Sequence, residues 1–434
     1  MWGDIGEWFK RNIQRIAWCL LAMGVIMVIY FLINAIVNGY WIWGGKLNIA
    51  ETGEVGDFVG GFVGTIISAA GFLFLYLTLK EQRQASEDQR KSFEKERFES
   101  RFFELLKFHR ENVSAMKIEL KYDKALINET HEGAQAIKFV YQQVMEARDE
   151  IKPFFRKIDV SDFYDPTYYK SLEEEFTIKK RKISLKEIAK MNIAYHVVFF
   201  GVDYYGKHII KNALERKYDS KLIGEILDYM ALKPLEQTEN WDSWRRLRKM
   251  EIMRKKESVK NIYWLRQTQS KRSDVTLADT DLQAEDDKPV FYRDNYIKYY
   301  GGHQIRLGHY FRHLFQMVNY VNDNKLFQYQ QKYDYVKLLR AQMSTYEQVV
   351  FYFNSLSSIG DIWELCISKR FKNNTTPPSD EEIVNKQLVT KYNLIKNLAN
   401  GQLLKQSFTR HYPDINYEFQ DFPNNRILLE KKYI

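Results

Sequence analysis

Two segments in the C-terminal third carry side chains able to move protons and grip phosphate. The first begins at Gly302 and reads GHQIRLGHYFRHLFQMVNYV. On a helix, Arg306, His309 and His313 fall within roughly 60° of one another. They lie away from an apolar stripe of Leu307, Phe311, Leu314, Val318 and Val321. Histidine titrates near neutral pH, and arginine offers a charged fork to phosphate oxygens. That pairing suits acid–base cleavage of a phosphodiester without a metal, as in a ribonuclease. The second segment, LLRAQMSTYEQVVFYFNSLS, reads as part of one helix over 335–359. Its polar face carries Arg340, Ser344, Glu347, Asn354 and Ser358. A polar line on a helix that must otherwise be buried is costly unless paired. Glu347 could orient a histidine or pair with an arginine across a helix–helix contact. Equally, the line could be a buried network that fixes packing.

Other chemistry is excluded more firmly. The chain has only two cysteines, Cys19 and Cys366, and no Cys/His cluster at zinc spacing. A metal site and a disulfide framework are not expected. No Walker A loop, dinucleotide-binding glycine pattern, nucleophile elbow or kinase signature occurs, so no cofactor is expected.

A basic tract, residues 241–272, sets eleven Lys and Arg against three acids, a large part of the formal net charge of +9. Arg245, Arg246, Arg248, Lys249, Lys255 and Lys256 are interleaved with Trp241, Trp244, Tyr263 and Trp264. Cations with stacking rings suit nucleic acid. They suit anionic lipid heads as well. A solvated helix face is the plain alternative.

These segments must be positioned by helices. Eight prolines in 434 residues and helical periodicity almost throughout predict an all-α fold. Two apolar stretches, 13–37 and 58–79, each exceed the roughly 20 residues needed to cross a bilayer. Lys10, Arg11 and Arg15 precede them and Lys80, Arg83, Arg90 and Lys91 follow. The connecting loop, 38–57, has only Lys46, so both ends are expected on the cytoplasmic side of the membrane. Trp41 and Trp43 would anchor the outer interface, and Trp2, Trp8 and Trp18 the inner one. Gly56, Gly60, Gly64 and Ser68 recur every fourth position, a ladder that admits close approach of another helix. The partner could be the first span or a second copy of the chain, which would give a homo-oligomer.

The expected order is a cytoplasmic tail (1–12), a transmembrane hairpin (13–79) and a long charged connecting helix (80–126). A helical domain (127–272), an acidic linker (273–290), a C-terminal bundle (291–400) and a tail (401–434) follow. Phe98, Phe102, Leu105, His109 and Val113 trace a seam at spacings of four and three on the connecting helix. That seam fits a coiled coil, or a helix packing on its own domain.

The segments GDFVGGFVGTIISAAGFLFLYLTLKEQRQ, RFFELLKFHRENV, LGHYFRHLFQMVNYV and YVKLLRAQMSTYEQVVFYFNSLS resemble the phage abortive infection proteins of bacteria, the AbiC-like group. The resemblance is densest at 56–113 and 302–398. It implies a membrane protein of antiphage defence, responding to a phage protein or nucleic-acid trigger. It carries over no catalytic residues. Many abortive-infection effectors are HEPN-type ribonucleases with Arg and His four to six residues apart. Arg306 and His313 meet that spacing at its upper limit, with Leu307 where a polar residue usually follows. Membrane action, RNA cleavage and non-enzymatic sensing through the basic tract thus remain three open functions.

Overall fold

The computed structural model describes residues 2–37, 53–54, 56–121, 128–156, 158–178, 184–236, 238, 240–270, 296–364, 387–398 and 408–418. The acidic linker, the Pro-Pro loop at 373–379, most of the external loop, most of the C-terminal tail and Cys366 lie outside them. The described chain is all-α apart from one small β-hairpin. It divides into two compact units, Met1–Ser100 and Arg101–Ile434.

The first unit contains α1 (Trp2–Val37), a π-helical turn (Phe58–Val63) and the N-terminal part of α2 (Gly64–Ser114). The two helices touch in antiparallel order. Trp18 meets Phe74 edge-on at 5.2 Å and Phe31 stacks on Phe58 at 5.6 Å. Between these contacts a methyl at Gly24 would stand 3.0 Å from Ile67 Cγ1, so this glycine permits the approach. Ile13, Ala17, Val63 and Ala70 are buried. The glycine ladder does not make this contact. Added methyls at Gly56 and Gly60 would meet nothing, and Ser68 is exposed. The ladder therefore does not pack on the first span of its own chain; Gly24 serves there instead. Large apolar side chains remain uncovered, including Ile26, Tyr30, Val37, Phe62, Phe72 and Leu75.

In the second unit α2 ends at Ser114, twelve residues short of the expected 126. There KIELK alternates charged and apolar residues, the period of a strand. It forms β1 (Lys117–Lys121) with Ile118 buried, paired antiparallel to β2 (Asn128–Glu132). Next come α3 (Ala134–Ile151), the short α4 (Val160–Phe163), α5 (Pro166–Ile178) and α6 (Leu185–Phe200). Then follow α7 (Tyr204–Leu214), α8 (Ser220–Met230), α9 (Trp241–Lys249) and α10 (Ile252–Ser270). The last are α11 (Gln304–Asn322), α12 (Tyr329–Gln342), α13 (Thr345–Leu356) and the single turn α14 (Leu388–Lys391). The core lies where α6 packs against α3 and α13, and α3 against α13. Residues 188–199 of α6 and 347–356 of α13 are buried on every face, as helices surrounded by protein must be. Helices from the expected middle domain and C-terminal bundle thus share one core.

Three stretches of the chain are divided between helices, each for a local reason. Between Leu185 and Leu214, α6 stops at Gly201, which adopts φ +81°, and α7 starts behind Asp203. The Asp203 carboxylate accepts from Gly206 N at 2.6 Å as an N-cap. The basic tract breaks at Met250, whose backbone is extended. The expected helix over 335–359 breaks at Met343–Ser344. Ser344 and Glu347 form a capping box that starts α13 (Ser344 N to Glu347 Oε2, 2.8 Å). Arg340 and Glu347 therefore belong to different helices, not to one polar face.

The end of α6 is locked by two crossing backbones. Val202 N donates to Tyr300 O at 3.0 Å and His303 N to Phe199 O at 2.9 Å. Gly302 has φ +86°, and a methyl there would stand 2.7 Å from Phe200 O. Only glycine fits such a position. Gly302→Ala is expected to lower unfolding stability by more than about 2 kcal/mol, since strain and overlap add. Gly308→Ala, on open α11 surface, should be neutral or stabilising by up to about 1 kcal/mol. Denaturant melts of the two variants check this; equal stabilities would refute the crossing.

Candidate functional site

The apolar stripe of α11 is buried as its spacing demands: Leu307, Phe311, Leu314, Val318 and Val321 all face the core. The three candidate catalytic residues on this helix part company. Arg306 Nε donates to Lys117 O of β1 at 2.6 Å. His309 is exposed. His313 is half-buried and its Nε2 donates to Leu105 O of α2 at 2.9 Å. Arg340 lies elsewhere, its Nη1 donating to Tyr392 O (3.2 Å) and Asn393 O (2.9 Å). There it satisfies two carbonyls that follow α14.

Glu347 does meet a histidine, but it is His109 of α2. His109 Nε2 stands 3.5 Å from Glu347 Oε1, with both residues buried. Tyr310 OH donates to the same oxygen at 3.2 Å. The other oxygen takes the Ser344 amide. The His109 and His313 rings stack at 6.3 Å and 13°. Burial pushes the Glu347 carboxyl up, but His109 and the Ser344 donors outweigh it and hold the acid below its ordinary value. Burial, reinforced by Glu347, pushes the Tyr310 phenol well above its usual range. The cluster holds a charged carboxylate between α2, α11 and the start of α13. A general base must reach the proton it removes. His109 is 1% exposed, so the pair ties three helices together rather than facing a substrate. The seam on α2 is explained likewise: Phe102 packs on Tyr335 of α12 and His109 on Tyr310. From Phe102 onward the helix packs on its own chain, the second of the two readings of that seam.

Asn354 and Ser358 also serve the core. Asn354 Nδ2 donates to Tyr195 OH at 3.0 Å, and its Oδ1 accepts from Trp363 Nε1 at 3.1 Å. Ser358 lies 3.3 Å from Nε2 of His196, whose Nδ1 donates to Asn192 O at 2.7 Å. Burial drives His196 down to about 3, so this ring stays neutral. Among the described residues no group of three or more His, Cys, Asp or Glu is placed to hold a metal ion.

The basic tract is only partly a surface. Arg248 Nε reaches buried Glu150 at 2.9 Å, and Tyr229 OH donates to the same carboxylate at 2.8 Å. Lys255 is buried, donating to Arg248 O at 2.9 Å, and Lys256 pairs with Glu225 at 2.7 Å. Trp244 is buried, while Trp264 is 61% exposed. Arg245, Arg246 and Lys249 remain exposed. Half of the six candidate cations thus dock α9 and α10 onto the body.

Sequence reasoning missed His109, placed in a seam by its spacing alone. It also read past the Ser-Thr-Tyr-Glu capping box, whose signal at 344–347 would have divided the helix and set Glu347 in its first turn. The model of the family described as "Putative phage abortive infection protein" matches residues 302–371, the stretch that holds α11, α12 and α13. No curated protein and no solved structure matches the chain.

Because its folded pKa is lowered, Glu347 stabilises the fold above the ordinary carboxylate value of 4.5. That contribution is lost as pH falls through the lowered value. Glu347→Gln should therefore cost about 1–3 kcal/mol at pH 7. The gap to wild type should narrow in the acid limb, below pH 4.5. Denaturant melts across pH check this, and a variant as stable as wild type at neutral pH would contradict it.

Proposed function

We propose that this chain is a membrane-anchored bacterial protein of phage abortive infection. The family match at 302–371 carries the defensive part of this reading. The membrane part is supported by two helices of high hydropathy, 2.7 over Asn12–Asn34 and 2.0 in the second, whose apolar windows are only 11% buried. Side chains such as Ile26, Tyr30, Val37 and Phe72 would be costly to leave in water. In a bilayer they need no other cover. The antiparallel contacts of α1 with α2 suit a hairpin in the cell membrane, with both termini cytoplasmic by the positive-inside rule. In the ladder Gly56, Gly60, Gly64 and Ser68, methyls at Gly56 and Gly60 would meet nothing among the described residues, which suits packing between copies. Killing is proposed to follow from rearrangement of these helices, with the helical body responding to infection.

The rival reading is a ribonuclease in the body. Exposed His309, one turn from Arg306, keeps it in play, whereas His109, Glu347 and His313 are spent on packing. A third reading, docking of a nucleic acid or a protein partner, would use exposed Arg245, Arg246 and Lys249. Phage plating efficiency separates these. Gly60→Leu/Gly64→Leu should abolish protection. Arg306→Ala/His309→Ala and Arg245→Ala/Arg246→Ala/Lys249→Ala should retain it. Lost protection in the Arg306/His309 variant, with RNA left intact only in that variant, would overturn membrane action in favour of RNA cleavage.

A further inference from the structure

The second apolar helix does not open as an α-helix. Phe58–Val63 forms a π-helical turn, which Gly64 N closes by donating to Val59 O, five residues back. Residues 56–57 before it and Gly64 onward are α-helical. A π turn amounts to an α-helix holding one extra residue. It therefore offsets the phase of its two flanks by roughly 100°. Single π turns within α-helices are frequent at functional sites.

The offset has two consequences here. In an unbroken α-helix Phe58 would stand about 140° around the axis from Val63, and the turn reduces this to about 40°. Val63 is buried, and Phe58 on the same side stacks on Phe31 of α1 at 5.6 Å and on Phe62 at 5.9 Å. Further along, Ile67 lies against Gly24 and Phe74 against Trp18. The turn thus lets both of its flanks meet α1. It also lines up the ladder. Spaced by four, Gly56, Gly60, Gly64 and Ser68 would wind through about 120° of an unbroken α-helix, but with the turn they fall within about 40°.

The residues of the turn do not lock it. Gly60 and Gly61 bring no side chains, and methyls there would meet nothing among the described residues. Glycine admits either backbone conformation. The Thr65 hydroxyl donates to Phe62 O at 2.7 Å, a donor for this carbonyl outside the backbone ladder. Conversion to α needs only that each amide of the turn move its acceptor from five residues back to four. We propose that Phe58–Val63 is a register switch. Its conversion to α swings Phe58 roughly 100° off Phe31, twists the ladder out of line and so rearranges the hairpin. The proposal rests on the membrane reading and supplies the device behind the rearrangement that reading invokes.

Thiol cross-linking of the full chain in cells tests it, using Phe31→Cys/Phe58→Cys in a Cys19→Ser/Cys366→Ser background. A short bifunctional thiol reagent is applied before and after phage adsorption, and membrane potential is followed in parallel. The pair should cross-link before infection, and the yield should fall by roughly threefold or more as infected cells depolarise. Alanine favours the α form, so adding Gly60→Ala/Gly61→Ala should lower the yield and depolarise cells without phage. Deleting Gly61 instead removes the extra residue and keeps both flanks in phase. That variant should cross-link, hold its yield through infection and give no protection. A yield unchanged by infection in cells that do depolarise would overturn the switch and leave the membrane reading intact. So would a Gly61 deletion that protects, or either chain failing to cross-link before infection. Protected cells that never depolarise would overturn the membrane reading, and the switch with it.

Discussion

The body is organised around the Glu347 carboxylate. One oxygen closes the capping box that starts α13, and the other gathers Tyr310 of α11 and His109 of α2. A buried charge is tolerated only when paired and hydrogen-bonded, so these partners cannot be exchanged freely. Once α13 is started and oriented here, its remaining length lies against α3 and α6. Its Asn354 then reaches Tyr195 and Trp363. Arg340, at the end of the preceding helix, is turned the opposite way, toward the carbonyls beyond α14. The break at Ser344 thus separates two polar functions that a continuous helix would have merged.

The two units solve different solvation problems. Among the described residues of Arg101–Ile434, buried charged side chains find partners: Lys233 meets Glu146, Glu150 meets Arg248, and Lys255 donates to Arg248 O at 2.9 Å. In Met1–Ser100 the reverse holds. Apolar side chains stand uncovered along both helices, and among the described residues methyls at Gly56 and Gly60 would meet nothing. Each pattern suits its proposed medium, water for one and lipid for the other.

Much of this was legible in sequence. Hydropathy and the scarcity of proline marked the apolar helices and the all-α body, and the stripe of α11 was read residue by residue. The β-hairpin was missed because KIELK is short and follows a strong helical run. Helix breaks were missed where a single backbone position decides them, as at Gly201, whose crossing partner Gly302 is a hundred residues away. The site was the least legible. Arg306, His309 and His313 share a face in projection, but whether each finds a carbonyl, solvent or a ring depends on which neighbour crosses that turn. His109 joined Glu347 across more than two hundred residues, a contact no spacing rule anticipates. The glycine ladder left its partner open between the first span and a second copy, and it is Gly24 that meets Ile67 within the chain.

The central claim is that defence acts through the apolar helices at the membrane. The most direct measurement is single-cell membrane potential in bacteria expressing the full-length chain, followed from phage adsorption to the time of normal lysis. The account predicts that infected cells depolarise before progeny phage are released, while uninfected cells expressing the chain stay polarised. Infected cells that are protected yet remain polarised throughout would contradict it.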